Sequence, residues 1–161
     1  MFEKITLHTP RTFVPDDLNA GDWAALAPLF EQLEQQLSAA ADAVQLEQAI
    51  LNWEELSAAI AEESSKRTIA MTCQTDDKTA EQAYLDFVEQ IEPEVKTSSF
   101  RLAKALADHP HRDGLPAKRY EVFTRDTALE VELFRRENVA IETETTKLGQ
   151  QYQKLIGSLA V

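Results

Sequence analysis

The side chains able to do chemistry are few, and their spacing does not suit it. The chain holds three histidines, His8, His109 and His111, and one cysteine, Cys73. A di-iron carboxylate bundle needs Glu-x-x-His pairs projecting inward, and the residues three positions before these histidines are Ile5, Leu106 and Asp108. His109 and His111, flanked by Asp108 and Asp113, suggest a loop metal site. Zinc, however, requires three or four convergent ligands held by a second layer of hydrogen bonds, so a solvated loop is the favoured reading. Cys73 has no histidine nearby to take its proton and is expected to be a small buried apolar residue. Glu54-Glu55, Glu62-Glu63 and Asp76-Asp77 are adjacent carboxylates. Neighbours on a helix diverge by about 100°, so these pairs cannot share a proton and are expected to be solvated. No Gly-rich phosphate loop, G-x-S-x-G or H-E-x-x-H occurs. The sequence therefore offers no catalytic, cofactor-binding or metal residue.

Composition narrows the function classes further. A chain of 161 residues, 43% of them hydrophobic, can bury a core without staples. Four Gly and six Pro among abundant Ala, Leu, Glu and Gln favour helix over a turn-rich β fold. A net charge of −12 argues against nucleic acid, whose binding depends on Lys and Arg contacts to phosphate, and against anionic lipid. A single cysteine permits no intrachain disulfide and suits a reducing cytoplasm. The opening MFEKITLHTPRTF lacks an apolar signal core, and no apolar run is long enough to span a membrane.

Residues 1–21 read as an extended lead-in punctuated by Pro10 and Pro15, followed by a single helical domain over 22–161 opened by Asp22 as N-cap. Trp23, Leu26, Phe30, Leu33, Leu37, Ala40 and Val44 recur at alternating steps of three and four, one stripe of a helix. Pro28 is expected to kink or delay the start of that helix. Asp42 to Gln45 has capping-box spacing, and a second stripe of Leu46, Ile50, Trp53, Leu56 and Ile60 follows. Helices over 23–41 and 44–66 meeting at a tight corner are expected, or one long helix bent there, with 67–75 either the end of the second or a short extended piece. A third helix carries Ala80, Tyr84, Phe87 and Ile91, and Pro93 interrupts it and opens a fourth. After a loop over 108–114, Pro116 starts a fifth helix with Tyr120, Phe123, Thr127, Glu130 and Phe134 in line, and Val122, Leu129, Val131 and Leu133 widening its apolar surface. Asn138 is expected to take the left-handed conformation that ends this helix. A sixth helix then presents Leu148, Tyr152, Leu155 and Leu159. The expected fold is all-α, with five or six mostly antiparallel helices in an elongated bundle or hairpin array.

The last quarter of the chain, VELFRRENVAIETETTKLGQQYQKLIGSLAV, resembles the N-terminal helical region of oligoendopeptidase F and related thimet-type zinc metallopeptidases. The resemblance rests on a helix ending in Phe134, Arg135, Glu137 and Asn138, a connector of Val139, Ile141 and Glu142, and a helix with Leu148 and Tyr152. Trp53, Leu56 and the run from Trp23 fit the same region more loosely.

The resemblance implies a mostly helical zinc enzyme that cleaves short peptides in a deep channel, with its zinc ligands on helices beyond this sequence. No catalytic or metal residue carries over, and the chain is expected to be inactive alone. It is expected to form one wall of the substrate channel and to leave an apolar face for the missing catalytic domain. That face would also allow a homodimer. The apolar residues Leu159, Ala160 and Val161 at the end suit a chain cut from a longer one. The competing expectation is a stand-alone acidic helical adaptor without catalysis.

Overall fold

A computed structural model describes residues 11–73 and 76–158. The described residues form six α-helices and no strand: α1 Trp23–Ala39, α2 Ala43–Cys73, α3 Lys78–Asp86, α4 Glu92–Ala107, α5 Ala117–Leu133 and α6 Arg136–Ser158. Pro10, His8 and Leu159 lie outside the described residues, so the expectations resting on them do too.

Each boundary has a local cause. Asp22 accepts the Ala24 N–H at 2.9 Å and caps α1. Pro28 sits inside α1 without ending it; it lies on the solvent side, where the carbonyl of Ala24, deprived of its usual partner, faces water. The corner between α1 and α2 is a reciprocal cap. Asp42 accepts the Gln45 N–H at 2.8 Å, and the Gln45 side chain accepts the Ala41 N–H at 3.0 Å. This turn swings Val44 out of the stripe expected for α1, leaving it 75% exposed. Residues 67–73, whose state the sequence left open, continue α2 as helix.

Pro93 does not break the chain between α3 and α4. A π turn over Phe87–Ile91 joins them, in which Glu92 donates its N–H to the Phe87 carbonyl. The wider turn makes room for the proline ring at the start of α4 and turns Phe87, Val88 and Ile91 inward together. The four residues Asp108 to His111 lead into a 3₁₀ turn, Arg112–Gly114. There Arg112 donates to the last carbonyls of α4 through Ala107 O at 2.6 Å. The corner between α5 and α6 falls at Phe134 and Arg135, earlier than Asn138, and no described non-glycine residue has a positive φ. Phe134 is extended and its ring stacks on Phe100 of α4 with centroids 4.0 Å apart. This contact stops α5 and makes a left-handed Asn138 unnecessary; Asn138 sits in the first turn of α6.

The core lies where α1, α2 and α4 meet. Leu26, Phe30, Leu33 and Leu37 of α1 pack with Leu46, Ile50 and Leu56 of α2 and with Leu102 and Leu106 of α4, all essentially inaccessible. An amide ladder crosses the edge of this core: Gln48 donates to Asn52 at 3.0 Å, and Asn52 donates to Gln36 of α1 at 2.9 Å. Its buried member, Asn52, is thereby satisfied.

The lead-in is fastened to α2 by one carboxylate. Glu55 accepts the N–H groups of Thr12, Phe13 and Val14 at 2.8–3.1 Å, together with the Thr12 hydroxyl. This places Val14 and Ala20 in the core. Arg67 closes the other end of the strap. It pairs with Glu63 at 3.0 Å, donates to Ala83 O at 2.8 Å, and lies over the Phe87 ring at 5.2 Å. A Cβ at Gly21 would fall 2.0 Å from the Arg67 guanidinium, so a larger residue here would push that flexible side chain off its present contacts.

α6 departs most from expectation. Leu148, Tyr152 and Leu155, expected as its core stripe, are 63%, 61% and 61% exposed. The face turned to α4 and to the π turn carries Thr143, Thr146, Lys147 and the buried Gln150 instead. Polar links hold it: Lys147 to Glu89 at 2.7 Å, Lys96 to Glu142 at 2.9 Å, Gln150 to Glu81 at 3.0 Å and Lys154 to Glu81 at 2.7 Å. On α5, Val122, Leu129 and Leu133 likewise face outward, while Tyr120 and Thr127 are buried.

Candidate functional site

Two hollows flank one edge of α4. The first lies between α2 and α4. Ser57, Ala61 and Ser64 occupy successive turns of α2 on one side and Glu92, Val95 and Ser99 do the same on α4 opposite. The small side chains of α2 leave a trench of about 260 Å³ floored by Ile60 and Phe87. The second hollow, about 550 Å³, lies where Glu130 and Leu133 of α5, Phe134 at the corner and Glu142 of α6 face the same α4 edge of Val95, Lys96 and Ser99.

Lys96 stands between the two hollows, held at 2.9 Å by Glu142. Glu92 is the half-buried carboxylate of the first. Burial raises its pKa, and the charge of Lys96 opposes that rise. The same burial, with the charge of Glu92, raises that of Tyr84. Nearer the start of α2, Tyr120 donates to Glu47 at 2.8 Å, and Arg119 joins the same carboxylate at 3.1 Å. Burial first, and this bond second, push the Tyr120 hydroxyl up to about 12. The group ties α5 to α2 and is structural.

The residues weighed from sequence are scattered. His109 and His111 lie with ring centroids 5.6 Å apart, and the His109 Nδ1 accepts the His111 N–H at 3.2 Å. Asp113 pairs with Arg112 rather than with a histidine. Cys73 is exposed, against the expectation of burial. It sits at the end of α2, well beyond Ile60, the last residue that helix gives to the core.

Among the acidic pairs, Glu62 bonds Arg11 and Lys66, Glu63 bonds Arg67, and Asp77 caps α3 by accepting the N–H groups of Thr79 and Ala80. Glu55 is not a solvated carboxylate as expected but the clasp of the lead-in. Glu92 and Lys96 were not singled out from sequence. The signal that would have found them is the matched spacing 57, 61, 64 and 92, 95, 99, with small residues on one side.

Zinc does not fit these side chains. Among the described residues no group of three or more His, Cys, Asp or Glu converges on a point where a metal could sit. No catalytic step is assigned to them. Among the described residues no helix is long and apolar enough to cross a membrane.

The family model for the Peptidase M3 N-terminal domain matches residues 16–134. The chain belongs to that family. The match runs from the lead-in to the Phe134 corner and so takes in the α1–α2–α4 core, both walls of the trench and all of α5. It stops short of α6, which carried most of the words on which the resemblance was read. No match was found among curated proteins or among solved structures. An M3 N-terminal domain implies a catalytic partner domain in a peptidase, and the M3 family is generally one of metallopeptidases.

Proposed function

We propose that this M3 N-terminal domain is the non-catalytic, substrate-channel wall of a zinc-dependent oligoendopeptidase that cleaves short peptides. The observation that carries the reading is the family match together with a domain surface that is concave and partly apolar along α4. The outward apolar residues of α5 and α6 support it as the surface against which the catalytic domain packs; large exposed apolar patches mark interaction sites. The zinc, its ligands and the water-activating group belong to that catalytic domain. No residue of this chain is assigned a catalytic, cofactor-binding or metal role, and a cytoplasmic setting suits its single cysteine.

The test is hydrolysis of an internally quenched, bradykinin-like peptide with zinc present. The pure chain is expected to give no rate above buffer, and clear hydrolysis would sink the reading. The reading frame downstream distinguishes the stand-alone adaptor. An in-frame H-E-x-x-H supports the channel wall, whereas its absence leaves the α5–α6 face to serve an adaptor.

A further inference from the structure

We propose that the trench between α2 and α4 binds an extended peptide segment carrying a cationic group beside an apolar side chain. Glu92 takes the cation, and the wall of Ile60, Phe87 and Val95 takes the apolar group. The proposal rests on the channel-wall reading for why a peptide reaches this surface.

The argument for the occupant is charge complementarity. Glu92 lies in a mostly apolar hollow, and among the described residues it has no hydrogen bond or ion pair to its carboxylate. The nearest cation, Lys96, is engaged by Glu142 at 2.9 Å. A half-buried carboxylate left without a direct partner is stabilised by an arriving cation, and the net charge of −12 draws cations toward the domain. At about 260 Å³ the trench suits one or two side chains of an extended segment rather than a folded partner. The cation has two possible sources, a Lys or Arg side chain or a free peptide N-terminus.

The experiment is a nuclear magnetic resonance titration of the full chain, read at the Ile60 and Val95 methyls. Three peptides are compared: acetyl-Ala-Arg-Phe-Ala-amide, its Glu-for-Arg analogue, and Ala-Phe-Ala-amide with a free amine. At least one of the two cationic peptides is expected to shift these methyls, and the Glu analogue to leave them unmoved; the tighter cationic peptide identifies the source. In Glu92→Gln, which keeps the side-chain shape, affinity for that peptide falls about fivefold and loses its salt dependence. Equal binding of the Glu analogue, no binding of either cationic peptide, or full affinity in Glu92→Gln overturns the proposal. Each of these results leaves the channel-wall reading standing, because that reading is tested by hydrolysis and by the downstream frame.

Discussion

Phe30→Ala is expected to lower the stability of the domain by about 3–5 kcal/mol, the usual cost of removing a buried phenylalanine from a packed core. Phe30 is 2% exposed and lies at the centre of the α1 stripe, with Leu26 and Leu33 on either side and the Trp23 ring 5.7 Å away. Truncation removes the favourable transfer of the ring and leaves a cavity that α2 and α4, fixed to each other through α1, cannot collapse to fill. Since domains of this size are stable by about 5–15 kcal/mol, the loss is a substantial share of the margin. Urea unfolding followed by tryptophan fluorescence gives the number. Phe30→Leu, which keeps most of the volume, is expected to cost less than about 1.5 kcal/mol. Equal losses for the two variants would mean that packing at this position is not what holds the helices together.

Glu55→Ala is expected to cost about 2 kcal/mol and to free the lead-in. Three backbone N–H groups and a hydroxyl converge on this one carboxylate. Hydrogen bonds to a charged group contribute about 1.5–3 kcal/mol each when well shielded, and the partial exposure of this site reduces their sum. Burial acts to raise the Glu55 pKa, but the hydrogen bonds from Val14, Thr12 and Phe13 outweigh it, and the carboxyl is held below 4.5. A lowered folded-state pKa means that the unfolded chain binds the proton more readily. The clasp therefore contributes fully above the unfolded carboxylate value and is lost as pH falls through the lower folded value. Thermal melts from pH 6 down to pH 3 are expected to show this loss in the native chain and a smaller one in Glu55→Gln. The Thr12, Phe13 and Val14 amides should lose hydrogen-exchange protection in Glu55→Ala; unchanged protection would contradict the clasp.

The helices were legible wherever a stripe and a cap agreed. Leu26 to Leu37 and Leu46 to Ile60 are buried as their three-and-four spacing requires, with Trp23 and Trp53 half-buried, and Asp22 and Asp42 start their helices with the bonds their side chains predict. Periodicity shows that a face is apolar, but it does not say whether this chain or something else covers the face. That is why Leu148 and Tyr152, spaced like core residues, lie outside. The Glu55 clasp was illegible for a different reason. A carboxylate that accepts backbone N–H groups 41 to 43 residues earlier leaves no local trace in sequence. The trench was half visible, since its small residues and its carboxylate could each be read on a helix face, but only the packing of α2 beside α4 brings them together.

The polar seat of α6 has a consequence for how the domain comes apart. A helix held by Lys147, Lys154 and Gln150 loses attraction as salt rises, whereas one held by leucines does not. With little apolar area buried beneath it, α6 is expected to open at a lower free energy than α1 and α2, which carry the core. Its amides are expected to exchange with solvent well before those of α1 and α2, and faster still at 0.5 M salt, while the global melting temperature barely moves. Releasing these links would free α6 from α4 at the cost of ion pairs and an amide contact, and the buried leucines of α1, α2 and α4 are expected to stay packed.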